Sequence, residues 1–229
     1  MRPLVNVARL HAIRPLMYLG LPWAITAFSL AVNLVIFGAG PVSNTHRYTG
    51  AASITFIFFL FMGVSSVGRT LPFGMALGVS RRSYYLGTAL LAVTLAALDG
   101  LALTILQAIE RGSGGWGIAL HFFRVPYILD GPWYLTWLTS FVGLALLFGY
   151  GMWLGLVHRR WGQPGSLIFL AAQVTVAVAF VLLTTWAHAW PEAGHFLTTL
   201  PAAGLTGLLA VLTAALFTGG YATIRRVTI

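Results

Sequence analysis

The chain has 229 residues, of which 59% are hydrophobic and 7% charged, with a mean hydropathy of +0.88. A soluble domain carries roughly 25% charged residues, so this chain cannot clothe a water-facing surface and reads as an integral membrane protein. Its 13 basic residues are all arginine, against four acids, for a net charge of +9, and lysine and cysteine are absent. Without lysine, phosphate-loop nucleotide hydrolysis and Schiff-base chemistry are excluded. Without cysteine, disulfides, thiolate metal sites and cysteine nucleophiles are excluded as well. The arginines are separated by long apolar runs and form no continuous patch, a pattern of membrane topology rather than of nucleic-acid binding.

At the start of the chain, Arg2, Asn6 and Arg9 recur at i, i+4 and i+7, which predicts a short helix lying in the membrane interface. The apolar run that follows is too long for the core of a signal peptide and reads as a retained span. A bilayer core of about 30 Å needs roughly 20 apolar residues as helix. Six stretches qualify: 16–37, 51–67, 86–109, 134–157, 165–187 and 201–224. No polar–apolar alternation suggests a barrel. The expected fold is therefore all-α, a single transmembrane domain over 1–229 with six transmembrane helices. An even number of spans puts Arg2, Arg9, Arg14, Arg69, Arg81, Arg82, Arg159, Arg160, Arg225 and Arg226 on one side and Arg47, Arg111 and Arg124 on the other. The excess marks the first side, with both termini, as cytoplasmic in a bacterial plasma membrane.

Between the second and third spans runs GRTLPFGMALGVSRRSYY, residues 68–85. Thr70 is a candidate N-cap with Pro72 in the first turn, Gly78 a stop, and Ser80 a cap for the third span. Residues 71–79 predict a short uncharged helix exposing Leu71, Phe73, Met75, Leu77 and Val79, bracketed by Arg69 and the pair Arg81 and Arg82. Such an apolar surface on the watery side needs a partner or the lipid interface.

Farther along, Asp99 is the only acid inside a predicted span. A carboxylate at that depth faces protein or water. It is either a contact on a translocation path, with Asn33 as a companion, or a structural hydrogen-bond acceptor for Asn33, Gln107, Gln173 or a threonine. Gly143, Gly151 and Gly155 make a small-residue stripe suited to close helix packing, within one copy or between two. His188, Glu192 and His195 share helical spacing, but Pro191 interrupts them, which favours interfacial polar residues over a metal site. GVSSVG at 63–68 has the wrong spacing for a serine nucleophile, and no span supplies a histidine to activate it. No catalytic residues, metal or cofactor are expected on the chain.

The run LPFGMALGVSRRSYYLGT, at 71–88, together with six spans and an amphipathic start, resembles permease subunits of type-2 ABC exporters, in particular the short actinobacterial-type members. The resemblance implies that the loop is a coupling helix. Arg69, Leu71 and Pro72 would belong to that helix, and Phe73, Met75, Leu77, Gly78 and Val79 would enter a cleft on a separate cytoplasmic ATPase subunit. Ser80, Arg81 and Arg82 would start the next helix and contact that subunit or lipid phosphates. It further implies two ATPase copies carrying ATP and Mg²⁺, a second permease copy or a paralogue, and export of an amphiphile with no bond chemistry on this chain. One departure stands out: family members carry an outer helical hairpin between the fifth and sixth spans, whereas residues 188–200 here are a short link. The rival reading is a small membrane sensor or immunity protein that binds a partner and transports nothing.

Overall fold

The computed structural model describes residues 20–39, 47–50, 52–125 and 131–224. The predicted N-terminal interfacial helix lies outside them. Nearly everything described is helix. Helix α1 is Leu21–Gly38, α2 is Ser53–Ala76, α3 is Arg81–Gly112, α4 is Trp133–Trp186, α5 is Trp190–Thr199 and α6 is Ala202–Ile224. Five of these, all but α5, are long and apolar enough to cross a membrane. Two short strands, β1 (Arg47–Tyr48) and β2 (Leu120–His121), pair in parallel, Arg47 beside Leu120 and Tyr48 beside His121.

At 54 residues α4 would be about 80 Å long if straight, far more than a bilayer core. It is not straight. Gly162 has φ 67° and ψ −160°, a conformation closed to residues with a side chain, and Pro164 follows where the next helix needs no N–H. The two arms, 133–161 and 163–186, then fold back on each other. The Tyr150 hydroxyl donates to Gln173 Oε1 at 2.7 Å, the Trp153 and Phe169 rings lie 5.4 Å apart, and His158 Nδ1 meets Ser166 Oγ at 3.0 Å. Each pair lies at nearly equal distance on either side of Gly162, the signature of an antiparallel helical hairpin.

Helices pack closely in lipid only where side chains are small, because lipid tails are as apolar as leucine and supply no hydrophobic drive. The α2–α4 contact obeys this rule. A Cβ at Gly151 would overlap Leu60 O, one at Gly63 would overlap Phe148 O and come within 2.8 Å of Met152 N, and one at Gly155 would lie 3.0 Å from Val67 Cβ. Gly143 meets the Phe56 ring. The stripe thus packs within one copy, with α2 and the first arm of α4 running in the same direction. Phe59, Met62, Leu144, Phe148, Met152 and Leu156 fill the core they enclose. Helix α6 follows the same direction, Thr206 bonding Thr139 at 2.7 Å and Phe217 covering Gly149. Helix α3 runs oppositely, with Gly100 against Trp137 and Phe141 and Tyr85 Oη donating to Phe217 O at 2.7 Å.

Three expectations change. The second span does not stop near 67 but continues as helix to Ala76. The third is longer than expected, Arg81–Gly112. Residues 190–199 of the presumed plain outer link form α5.

Candidate functional site

The α2–α3 turn is built on a widened turn inside α2. Residues Ser66–Thr70 follow π-helical bonding between Ser53–Ser65 and Leu71–Ala76. Inserting one residue into a helix frees backbone groups that something else must satisfy. Here tertiary partners do it. Ser66 O accepts the Tyr84 hydroxyl from α3 together with the Thr70 hydroxyl, and Gly68 O accepts Arg159 Nη2 from α4 at 3.1 Å. Tyr84 is 1% exposed and its ring lies against Gly74, where a Cβ would come within 3.0 Å of it. The end of α2 is thereby bolted to two other helices.

The predicted Thr70 cap is corrected by this geometry. Thr70 is helical and makes no side-chain cap bond, because the chain arrives already as helix and its hydroxyl turns back to Ser66 O. There is accordingly no separate helix beginning at 70. The other two local signals hold: Gly78 takes φ +78°, with Val79 N bonded to Gly74 O at 3.0 Å, and Ser80 Oγ accepts Ser83 N at 3.1 Å as the cap of α3.

Exposure at the turn divides the predicted contact residues. Phe73 and Leu77 stand out at 59% and 58% exposed, and Gly78 and Ser80 are exposed between them and α3. Met75 and Val79 are partly buried against the core, and Pro72 is half-buried. Leu71 is fully buried, so the expectation that it is exposed is corrected: it belongs to the helix interior that α2 continues. The Arg69 side chain lies outside the described residues. Arg81 and Arg82 occupy the first turn of α3 with no acid beside them there. Cations at that end oppose the helix dipole, which costs each a few tenths to about 1 kcal/mol unless an anion answers them. Arg159 and Arg160 lie at the same end of the domain, Arg160 over the Trp161 ring at 4.6 Å.

Asp99 and Asn33 are not brought together. Asn33 Nδ2 donates within its own helix to Ser29 O at 2.8 Å. The acceptor role foreseen for Asp99 is filled by an unforeseen donor, Trp23 Nε1 at 2.7 Å, rather than by Asn33, Gln107 or Gln173. Asp99 is 3% exposed.

The opposite end holds a site that sequence reasoning missed. Glu110, with no exposed surface, accepts Phe122 N and Phe123 N at 2.9 Å and Trp116 Nε1 at 3.1 Å through Oε2, and Arg124 N at 3.2 Å through Oε1. His121 Nδ1 lies 3.7 Å away. The loop reaches this arrangement through left-handed residues, Gly114, Gly115, Trp116, Gly117 and Ala119. Tyr48 stacks on His121 at 4.9 Å, which joins the α1–α2 connection to the same knot. The run RGSGGWG directly after Glu110 was the available signal, since such glycine density marks tight turning. Comparison with protein-family models, with curated proteins and with solved structures gives no match.

Proposed function

We propose that the chain is the membrane-spanning permease subunit of an ABC exporter. It would cross the membrane six times, through α1, α2, α3, the two arms of α4, and α6. The end bearing Arg81, Arg82, Arg159 and Arg160 faces the cytoplasm of a bacterial plasma membrane, as the positive-inside rule requires. The chain binds no nucleotide. ATP and Mg²⁺ sit on two cytoplasmic ATPase subunits, and a second permease copy or a paralogue completes the pathway.

One observation carries the reading: the exposed apolar pair Phe73 and Leu77 at a turn braced from beneath by Tyr84 and Arg159. Exposed apolar side chains on a rigid mount suit a partner's cleft. The brace lets a push at Leu77 reach α3 and α4 rather than be absorbed in a loose loop. ATP-driven closure of the ATPase pair would then tilt α2, α3 and α4 together and switch the pathway between its two sides. Arg81 and Arg82 favour an acidic rim on that partner or lipid phosphate.

The absence of cysteine makes the test clean. Leu77→Cys is crosslinked in native membranes and the adduct identified. A soluble ATPase whose capture changes with ATP supports the proposal. Protection by lipid alone, with no protein adduct at Leu77→Cys or Phe73→Cys, overturns it in favour of the sensor or immunity reading.

A further inference from the structure

We propose that Asp99 and Trp23 recognise a lipophilic organic cation, the substrate class of this chain. The idea deepens the transport reading and rests on it for the word substrate; the binding itself stands on the geometry.

Asp99 accepts one hydrogen bond, from the neutral indole of Trp23, and among the described residues no arginine or histidine pairs with it. A buried carboxylate so placed lacks a counter-charge. The missing charge is then supplied by what binds. The Trp23 indole places one aromatic ring at the carboxylate. Aromatic faces attract diffuse cations. A hard metal ion would instead need about six oxygen ligands, and no group of three acids or histidines gathers among the described residues.

A second observation points the same way. Ser140, between Trp137 and Phe141 on α4, is 1% exposed and its hydroxyl has no partner among the described residues. Thr88, three turns before Asp99 on the same face of α3, is fully buried with its hydroxyl also unpartnered among them. Buried hydroxyls without partners call for an explanation in a wall that is otherwise satisfied. Here a charged headgroup and its water would supply the missing partners.

The test uses the full chain, with whatever subunits co-purify, in lipid nanodiscs and radiolabelled tetraphenylphosphonium as probe. Saturable binding is expected, displaced by unlabelled cation and not by neutral triphenylphosphine oxide. Asp99→Asn should weaken binding about tenfold or more, with Asp99→Glu close to the parent. Trp23→Phe, which keeps the ring and loses the N–H, should weaken it about threefold. Non-saturable uptake, equal displacement by the neutral oxide, or an unchanged affinity in Asp99→Asn would overturn the proposal. Should Asp99→Asn fail to fold, an unchanged affinity in Trp23→Phe overturns it. The two proposals fail separately. An ATPase captured at Leu77→Cys without cation binding removes the substrate class alone, and cation binding without an ATPase keeps the site and removes the exporter.

Discussion

Helix α3 buries two carboxylates eleven residues apart, about three turns, so they lie on nearly one face. Glu110 is saturated: three consecutive backbone N–H groups and one indole converge on it, with His121 beside it. Asp99 has one donor among the described residues. The first acid organises protein around itself and leaves nothing for a ligand to do. The second leaves acceptor capacity unused in the place where unused capacity is most costly. Burial alone therefore does not distinguish a structural acid from a binding one, whereas the count of donors does.

The largest expected effect tests the saturated member. Glu110→Ala strands four donors, two buried and two partly buried, and should lower stability by on the order of 3–5 kcal/mol, the range for removing one side of a buried charged network. Thermal unfolding in detergent would read it, and proteolysis should open near 113–124. A loss under about 1 kcal/mol would break the comparison, since the knot would then hold nothing.

A smaller change sharpens the same point. Glu110→Gln keeps an oxygen where Oε2 accepts three donors, but sets an amide N–H₂ against Arg124 N. About 2 kcal/mol is expected, between the alanine variant and the parent. Trp116→Phe removes one donor of four and should cost about 1 kcal/mol. Together the three variants order the knot by donors satisfied, and a Trp116→Phe loss equal to that of Glu110→Ala would place the stability in the ring rather than in the carboxylate.

How much of this was legible in the chain follows from the range of each interaction. The long apolar helices were legible because hydropathy is a property of the segment itself, and so were the stop at Gly78 and the cap at Ser80, whose chemistry closes within five residues. The end of the second span was misjudged because polar Ser65, Ser66 and Thr70 satisfy themselves on helix carbonyls, so a polar stretch continues as helix. Trp23 and Asp99 are 76 positions apart, and nothing local at either announces the other. The knot was hidden for another reason. Its donors are backbone N–H groups, which every residue but proline carries, so only the glycine run hinted that a loop was folding onto something. The mate of the Gly143, Gly151 and Gly155 stripe was equally unreadable, because a stripe says that a backbone comes close and not which one.

The smallest expected stability effect carries the most weight for function. In Asp99→Asn the amide oxygen still accepts the Trp23 indole, so the one hydrogen bond survives and the charge is gone. Stability should fall by less than about 1 kcal/mol or rise slightly, since an uncompensated buried charge is removed. The thermal midpoint in detergent would stay within a few degrees of the parent, while tetraphenylphosphonium binding collapses. The mirror image is expected at Glu110, where stability collapses and any cation binding by the surviving folded fraction is unchanged. A variant of Asp99 that unfolds the protein as Glu110→Ala does would make the two acids alike, and the donor count would lose its meaning as a guide to which carboxylate awaits a ligand.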